Sequence, residues 1–457
     1  MKKIVSKTTA IICIVFFIIF FVFQINLSSI CRLHALNSSK SDHQDTKFQE
    51  LNSVGPQDPQ SAPRDHFASV NPITCDRSHR NYDICSINSP TVLDPTMSTF
   101  YVVAPTNSTP LLEKVRPYPR KSENFTMDQI KEITLTSGPL SPACKVQHNV
   151  PALVFSAGGY TGNFFHEFND GFIPLFITVS SIFPDQDFVL VISKSRNWWI
   201  NKYGNLLHSF SKHPIINLDN DTATHCFPSA SLGLISHGFM TIDPKLIPNP
   251  KTILHFHALL GKTYGQNHPP SMAMPPKTRP RLVLASRSGG GGRVILNQAE
   301  VEKVAEEMGF EVIAFEPNSQ TPLHEAYALI HSSHAMVGVH GAALTHSLFL
   351  RPGSVFIQVV PIGSEWVSEA CFGKPAKDMG LEYMEYKIGV EESSLVEKYE
   401  KDDMVLKDPM ALQKKGWSQE IMDIYLKEQN VKLDLIRFRK FLKKAYEKAK
   451  SFMDKEG

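Results

Sequence analysis

Ala335-Met-Val-Gly-Val-His-Gly-Ala-Ala-Leu-Thr-His-Ser-Leu-Phe-Leu-Arg-Pro-Gly-Ser-Val-Phe-Ile-Gln-Val-Val-Pro361 reads as a buried strand, a short helix opening at His340-Gly341, and a second buried strand. Apolar runs such as Val355-Phe-Ile-Gln-Val-Val360 suit strands covered on both faces, as in parallel sheets. Gly341 carries no Cβ, so a ligand can approach the backbone where the helix begins. The free N–H groups there favour an anion, a diphosphate above all. A tight strand-to-helix turn around a packed histidine is the competing reading of this segment alone.

Upstream, Arg281-Leu-Val-Leu-Ala-Ser286 reads as a strand running into Arg287-Ser-Gly-Gly-Gly-Gly-Arg293, a loop with an arginine at each end. A helix follows, with Val301, Val304, Ala305 and Met308 on one face and Gly309 placed to cap it. Next come a strand, Glu311-Val-Ile-Ala-Phe315, and a helix opened by Thr321-Pro322 with proline at its first position. This alternation describes a doubly wound α/β domain, whose ligands bind beyond the carboxyl ends of the strands. Arg287, Arg293 and His340-Gly341 all fall at those ends. Guanidinium forks match phosphate oxygens, so the set predicts a diphosphate site. The run lacks G-x-G-x-x-G spacing, and no Walker lysine follows it.

The chain has 457 residues, enough for two core-bearing domains, and its net charge of +2 gives no sign of a nucleic-acid partner. Lys2, Lys3 and Lys7 precede an uncharged apolar run over 8–27, long enough to cross a bilayer. The lysines predict a type II signal anchor with residues 1–7 cytoplasmic and the rest lumenal; a cleaved signal peptide is the rival. Residues 28–71 are expected to form a disordered stem, too polar for a core. Cys75 and Cys85 can close a small loop, and Cys144 with Cys226 makes a second candidate bridge, leaving Cys371 free; spacing alone does not fix the pairing. Sequons stand at Asn37, Asn107, Asn124 and Asn220.

Residues 72–270 hold further strand candidates at Leu153–Phe155, Asp187–Ile192 and Pro214–Leu218, predicting a second α/β domain. Its notable motif is Gly158-Gly-Tyr-Thr-Gly-Asn-Phe-Phe-His-Glu-Phe-Asn-Asp-Gly171. On a helix, Asn163, His166, Glu167 and Asp170 share one face, and a histidine beside carboxylates can act as a general base. A merely solvated polar face is the alternative. The pairs Asp185/Asp187 and Asp219/Asp221 read as loop residues rather than metal ligands, and no metal is expected. A proline-rich stretch before Arg281 links to the domain at 271–390. Residues 391–457 form a helical segment whose stripe of Val431, Leu435, Phe438, Leu442 and Ala445 is expected to pack on a domain.

Lys114-Val-Arg-Pro-Tyr-Pro-Arg-Lys121, the Gly158–Asp170 motif, Ser286-Arg287 with Arg293-Val-Ile-Leu-Asn297, and His340-Gly-Ala-Ala-Leu344 with Pro352-Gly-Ser354 together resemble glycosyltransferase family 61, on its plant xylan-modifying branch. The resemblance covers roughly residues 75–388. It implies an inverting GT-B enzyme with two facing Rossmann-like domains, anchored in the Golgi membrane and able to work beside other Golgi glycosyltransferases. A UDP-sugar donor, UDP-arabinofuranose or UDP-xylose, would supply a pentose for the xylan backbone. Acceptor alternatives are an N-glycan, receiving β-1,2-xylose, or another cell-wall polysaccharide; a non-catalytic glycan-binding protein is the alternative outside enzymes. On this reading the 72–270 domain holds the acceptor. Arg287, Arg293 and the His340, Gly341, Ala342, Ala343 turn hold the diphosphate, and Asn297 supports the loop. His166 takes the acceptor proton, assisted by Asp170 or Glu167, with Asn163 in support.

Overall fold

The computed structural model describes residues 71–103, 110–265, 278–288, 291–414 and 418–456. The anchor and stem expectations (1–71), Asn37 and Asn107 lie outside these residues, Asn71 apart. Among the described residues no helix is long and apolar enough to cross a membrane.

The amino-terminal half is built on two six-stranded sheets. One runs β1 (Ile73–Asp76), β2 (Ile84–Ile87), β12 (Ala230–Leu232), β8 (Ala152–Ser156), β9 (Val189–Ser193), β10 (Ile216–Asn217). From β12 to β10 it is parallel; β1 and β2 close its edge antiparallel. The other runs β5 (Leu112–Val115), β6 (Ile133–Gly138), β4 (Thr99–Val103), β3 (Thr91–Asp94), β11 (His225–Phe227), β7 (Val146–Gln147), and mixes both senses. Side chains alternate across β8. Ala152 and Val154 join Leu93, Phe100 and Leu135 in a core between the sheets, while Leu153 and Phe155 face the helices. The three expected strands of this half are present. The second sheet was not anticipated, because its strands are short and half-buried. Two disulfides, Cys75–Cys85 and Cys144–Cys226, brace this half as expected, and Cys371 is buried and takes part in no disulfide.

The carboxy-terminal half holds one wholly parallel sheet, β14 (Glu311–Phe315), β13 (Arg281–Ala285), β15 (Ala335–Val339), β16 (Val355–Val360), β17 (Glu382–Lys387). Helix α1 (Gln298–Glu307) ends at Gly309, whose φ of 106° fits the expected cap. Helix α2 (Leu323–His331) starts one residue later than expected: Pro322 has extended geometry and sits just ahead of the first turn. The segment after His340 is a tight 3-10 helix, Ala342–Phe349. Leu282 and Leu284 of β13 face one side of the sheet and Val283 and Ala285 the other, so both faces are buried.

The terminal helix α3 (Leu435–Glu456) covers one of those faces with Phe438, Leu442, Ala445 and Ala449, all fully buried. The expected stripe thus packs on the 281–387 sheet, although Val431 lies ahead of the helix, bridged to Ile295 and Ser393. The core on the opposite face is continuous with that of the amino-terminal half, running from Phe155, Phe168 and Trp199 to Val283, Phe349 and Phe372. One apolar core therefore joins the halves, and it fixes the two groups of polar residues described next.

Candidate active site

The strand order β14-β13-β15 means that the chain leaves β13 toward one side and β15 toward the other. A crevice opens between their carboxyl ends. Ser286, Arg287, Arg293, Gln298 and Ala343 line a pocket there. A Cβ placed on Gly341 would lie 2.5 Å from Arg287 Nη2 and 3.6 Å from Arg293 Nη1, so both guanidinium groups close over the tip of the 342–349 helix. Arg287 Nη1 donates to the Gly292 carbonyl at 3.4 Å and Arg293 Nη1 to the His340 carbonyl at 3.3 Å, both long. Arg293 Nε is buried without a partner. Among the described residues no carboxylate pairs with either arginine. Burial lowers Arg287; burial and the charge of Arg287 push Arg293 down to about 9. Two adjacent, desolvated, uncompensated cations are costly unless an anion joins them.

This loop is held from behind by the carboxy-terminal segment. Gly292 has φ 67° and lies so close to the Lys427 carbonyl that a Cβ would overlap it. Arg293 N donates to the Gln429 carbonyl and Val294 N to Asn430 Oδ1. Asn297 exchanges two 2.9 Å bonds with the Leu433 backbone. Both ends of that amide are thereby used, so Asn297 supports the loop and does not face the pocket. His340 Nδ1 accepts from Gln358 Nε2 at 3.0 Å, and Gln358 Oε1 accepts from Tyr383 at 2.7 Å. Burial and the two arginines hold the His340 imidazole well below its usual range. It is therefore neutral, with its proton on Nε2.

The second group sits on helix 164–182, made of Phe164–His166, a wide π turn Glu167–Phe172, and Ile173–Ile182. The wide turn breaks the single face expected for Asn163, His166, Glu167 and Asp170. Asn163 is the N-cap, its Oδ1 accepting from Phe165 N at 3.0 Å, so it orders the helix start rather than joining the reactive group. Glu167 turns away from His166: its oxygens accept from Gly162 N at 2.8 Å and Trp199 Nε1 at 2.6 Å. Burial raises it to about 7 despite those bonds. Only His166 and Asp170 meet, with Nδ1 to Oδ2 at 2.7 Å.

Asp170 is saturated. Its Oδ1 accepts from Arg120 Nε at 2.9 Å, Arg120 Nη2 at 2.6 Å and Asn169 Nδ2 at 2.5 Å, and its Oδ2 also accepts from Tyr118 at 3.2 Å. Burial opposes the charge, but Arg120 and His166 outweigh it and hold the carboxyl well below the usual range. An ionised Asp170 fixes the proton of His166 on Nδ1 and leaves the lone pair on Nε2, which makes the imidazole the base of the pair. Tyr160 stacks on His166 at 4.3 Å and donates to Glu123 Oε2 at 2.9 Å; Glu123 also pairs with Arg120 Nη1 at 2.9 Å. Sequence reading had no role for Tyr118, Arg120, Glu123, Tyr160 or Trp199. Arg120 lies within the Lys114–Lys121 stretch, yet its partner is 50 residues away.

The two groups are neighbours across the halves. The Phe165 ring lies 5.4 Å from His166 and 5.5 Å from Phe372, and Phe372 lies 5.4 Å from His340. Phe164 stacks on His346 at 4.2 Å, docking helix 164–182 on the 342–349 turn. The acidic pairs behave as loop residues. Asp187 caps Phe188 N, Asp219 binds Lys131 and the Lys194 N–H, and Asp221 binds His225 and Ala223 N. Among the described residues no three His, Cys, Asp or Glu side chains converge to hold a metal. Asn124 and Asn220 are exposed.

The sequence pattern of Glycosyltransferase 61 matches residues 162–357, which begin in the turn before His166 and end within β16. A xylan glycosyltransferase of Arabidopsis thaliana is 41% identical over 398 residues, covering 82% of this chain and 80% of that one. A rice beta-1,2-xylosyltransferase is 35% identical, covering 83% and 85%. A rice alpha-1,3-arabinosyltransferase is 36% identical over 81% of this chain, which spans only 64% of that longer protein. The matched pattern encloses both the arginine-lined crevice and the His166–Asp170 pair, and the relatives align along most of the chain. The protein belongs to glycosyltransferase family 61 and is a glycosyltransferase.

Proposed function

We propose that this enzyme transfers a pentose, arabinofuranose or xylose, from its UDP derivative to the xylan backbone. The acceptor and sugar classes come from the relatives named for xylan, arabinosyl and xylosyl transfer. The observation that carries the donor assignment is the pair Arg287 and Arg293 closing, without a carboxylate, over the glycine at the tip of the 342–349 helix. A diphosphate supplies the missing negative charge, so no metal is needed as counter-ion in this reading. The halves act as the two facing lobes of a GT-B enzyme, with the carboxy-terminal sheet on the donor side. Residues 8–27 anchor the chain in the Golgi membrane as a type II protein with its catalytic part lumenal.

In the reaction, an acceptor hydroxyl gives its proton to His166 Nε2, and Asp170 stabilises the imidazolium that forms. The oxygen attacks the anomeric carbon as the bond to UDP breaks, inverting that centre in one displacement. Arg287, Arg293 and the N–H groups of the 342–349 turn stabilise the charge that develops on the departing UDP. The test is a panel of UDP-sugars with xylo-oligosaccharide acceptors, with product linkage read by mass spectrometry and NMR. Pentosylated xylo-oligosaccharide is expected. Transfer only to N-glycans or to a different polysaccharide would overturn the acceptor assignment.

A further inference from the structure

Gln358 is the one polar side chain in β16, Val355-Phe-Ile-Gln-Val-Val360, and it is fully buried. An amide in the middle of a parallel sheet is costly unless both of its ends are hydrogen-bonded. Here both are. Gln358 Oε1 accepts from the Tyr383 hydroxyl of β17 at 2.7 Å, and Gln358 Nε2 donates to His340 Nδ1 at 3.0 Å. Two hydrogen bonds thus run across neighbouring strands and end on the imidazole just ahead of the 342–349 turn. Tyr383 sets their sense. Burial, with Glu385 and Glu369 nearby, pushes its phenol up from the ordinary range, so it keeps its one proton. Among the described residues, Gln358 Oε1 is where that proton goes. The amide is thereby turned with its N–H toward Nδ1, which must accept, and the proton of the neutral ring is left on Nε2.

The groups around the ring leave that proton without a taker. Phe372 meets it edge-on at 5.4 Å, and the charges acting on it are those of Arg293 and Arg287. Among the described residues no acceptor meets Nε2. His340 is buried, so an N–H without an acceptor joins two guanidinium groups without a carboxylate around one helix tip. A negatively charged ligand oxygen satisfies all three. The opposite tautomer would present a lone pair and repel it. We infer that Gln358 and Tyr383 are positioning residues for the sugar-nucleotide donor: neither touches it, and together they hold His340 as an Nε2–H donor that binds the diphosphate with Arg287 and Arg293. The inference rests on the donor reading above. It adds why His340 donates rather than accepts, and it brings into the site two residues that lie beyond the matched stretch 162–357.

The experiment uses the full-length enzyme and the Tyr383→Phe, Gln358→Met, Lys377→Ala and His340→Ala variants, with Tyr383→Phe also made in the His340→Ala background. UDP affinity is read by titration calorimetry and folding by the melting temperature. The His340 tautomer is read by nitrogen NMR of protein with labelled histidine, its peaks assigned by their loss in His340→Ala. Wild type is expected to carry the proton on Nε2. Tyr383→Phe frees the amide to turn over, so a population with the proton on Nδ1 should appear. UDP affinity should then fall about three- to tenfold, as for a weakened hydrogen bond to a charged group. Gln358→Met should do the same with a larger loss of stability. In the His340→Ala background, Tyr383→Phe should change UDP affinity less than about twofold, because its effect travels through the imidazole. Lys377→Ala removes the ammonium 5.3 Å from the Tyr383 ring and leaves the hydrogen bonds intact, so it should alter neither tautomer nor affinity. A wild-type proton on Nδ1, unchanged UDP affinity in Tyr383→Phe, or an equal loss with and without His340 would overturn the inference. A wild-type enzyme that binds no UDP would instead overturn the donor reading itself.

Discussion

Gly341 stands 2.5 Å, measured from a Cβ it does not have, from Arg287 Nη2, and its φ is 156°. The missing side chain is what lets a guanidinium lie against the helix tip. Gly341→Ala forces Arg287 aside and strains the backbone, so UDP affinity should fall about tenfold or more, a change of about 1.4 kcal/mol or greater. Titration calorimetry with UDP checks this; an affinity equal to wild type would remove the arginine–helix-tip site from the donor role.

Arg287 and Arg293 repel one another in the ligand-free protein, since each lowers the proton affinity of its surroundings and Arg293 is depressed in part by Arg287. Arg287→Ala should therefore abolish transfer and the stabilisation that UDP confers, yet leave the apo melting temperature unchanged or higher. A large drop in apo stability would mean that Arg287 holds the fold instead.

His166 and Asp170 divide their work. His166→Ala should lower kcat about 100-fold or more with UDP affinity unchanged, as loss of a general base does. Asp170→Asn should lower kcat comparably by favouring the wrong tautomer. It should also destabilise the protein by about 3–5 kcal/mol, because Arg120 then keeps only Glu123 as a charged partner in a buried site. Lost UDP affinity in His166→Ala would assign that residue to donor binding.

The parallel sheet and its crevice were legible because each strand from β13 to β16 is a continuous apolar run closed by glycine, proline or a capping position. Arg287, Arg293 and His340-Gly341 fell at carboxyl ends by that same pattern. The π turn at Glu167–Phe172 was not legible. Its sequence has ordinary helical spacing, and the carboxylates on the turn take their partners from distant segments, Glu167 from Trp199 and Asp170 from Arg120. The Arg120–Asp170 contact and the second six-stranded sheet escaped for a related reason. Both depend on pairings between distant segments, and short half-buried strands carry little periodic signal.

The two disulfides should differ in weight. Cys75–Cys85 closes a separation of 10 residues and Cys144–Cys226 one of 82. Chain entropy predicts about 3 kcal/mol for the first and about 4.5 kcal/mol for the second. Denaturant unfolding of a Cys144→Ser/Cys226→Ser double variant should show the larger loss. Equal losses would mean that the unfolded chain stays structured between Lys145 and His225.

Glu167 gives the enzyme a stability term with a definite sign in pH. Its pKa in the folded protein is raised from 4.5 to about 7, chiefly by burial, with the Gly162 N–H and Trp199 Nε1 opposing the shift. Below pH 4.5 the group is protonated in both the folded and the unfolded chain, and the term is fully present. Between 4.5 and about 7 the unfolded chain releases its proton first, so stability falls as pH rises. Above about 7 both states are ionised and the loss levels off, at about 3 kcal/mol. Glu167→Gln cannot ionise, and its amide can accept from only one of the two donors, so it should be less stable than wild type at pH 4.5. The gap should narrow as pH rises, because only the wild type pays the ionisation cost. Melting temperatures of the two proteins across pH 4.5–8 measure it. A gap that stays constant or widens with pH would show that Glu167 is ionised in the fold throughout, held by its two hydrogen bonds rather than opposed by burial.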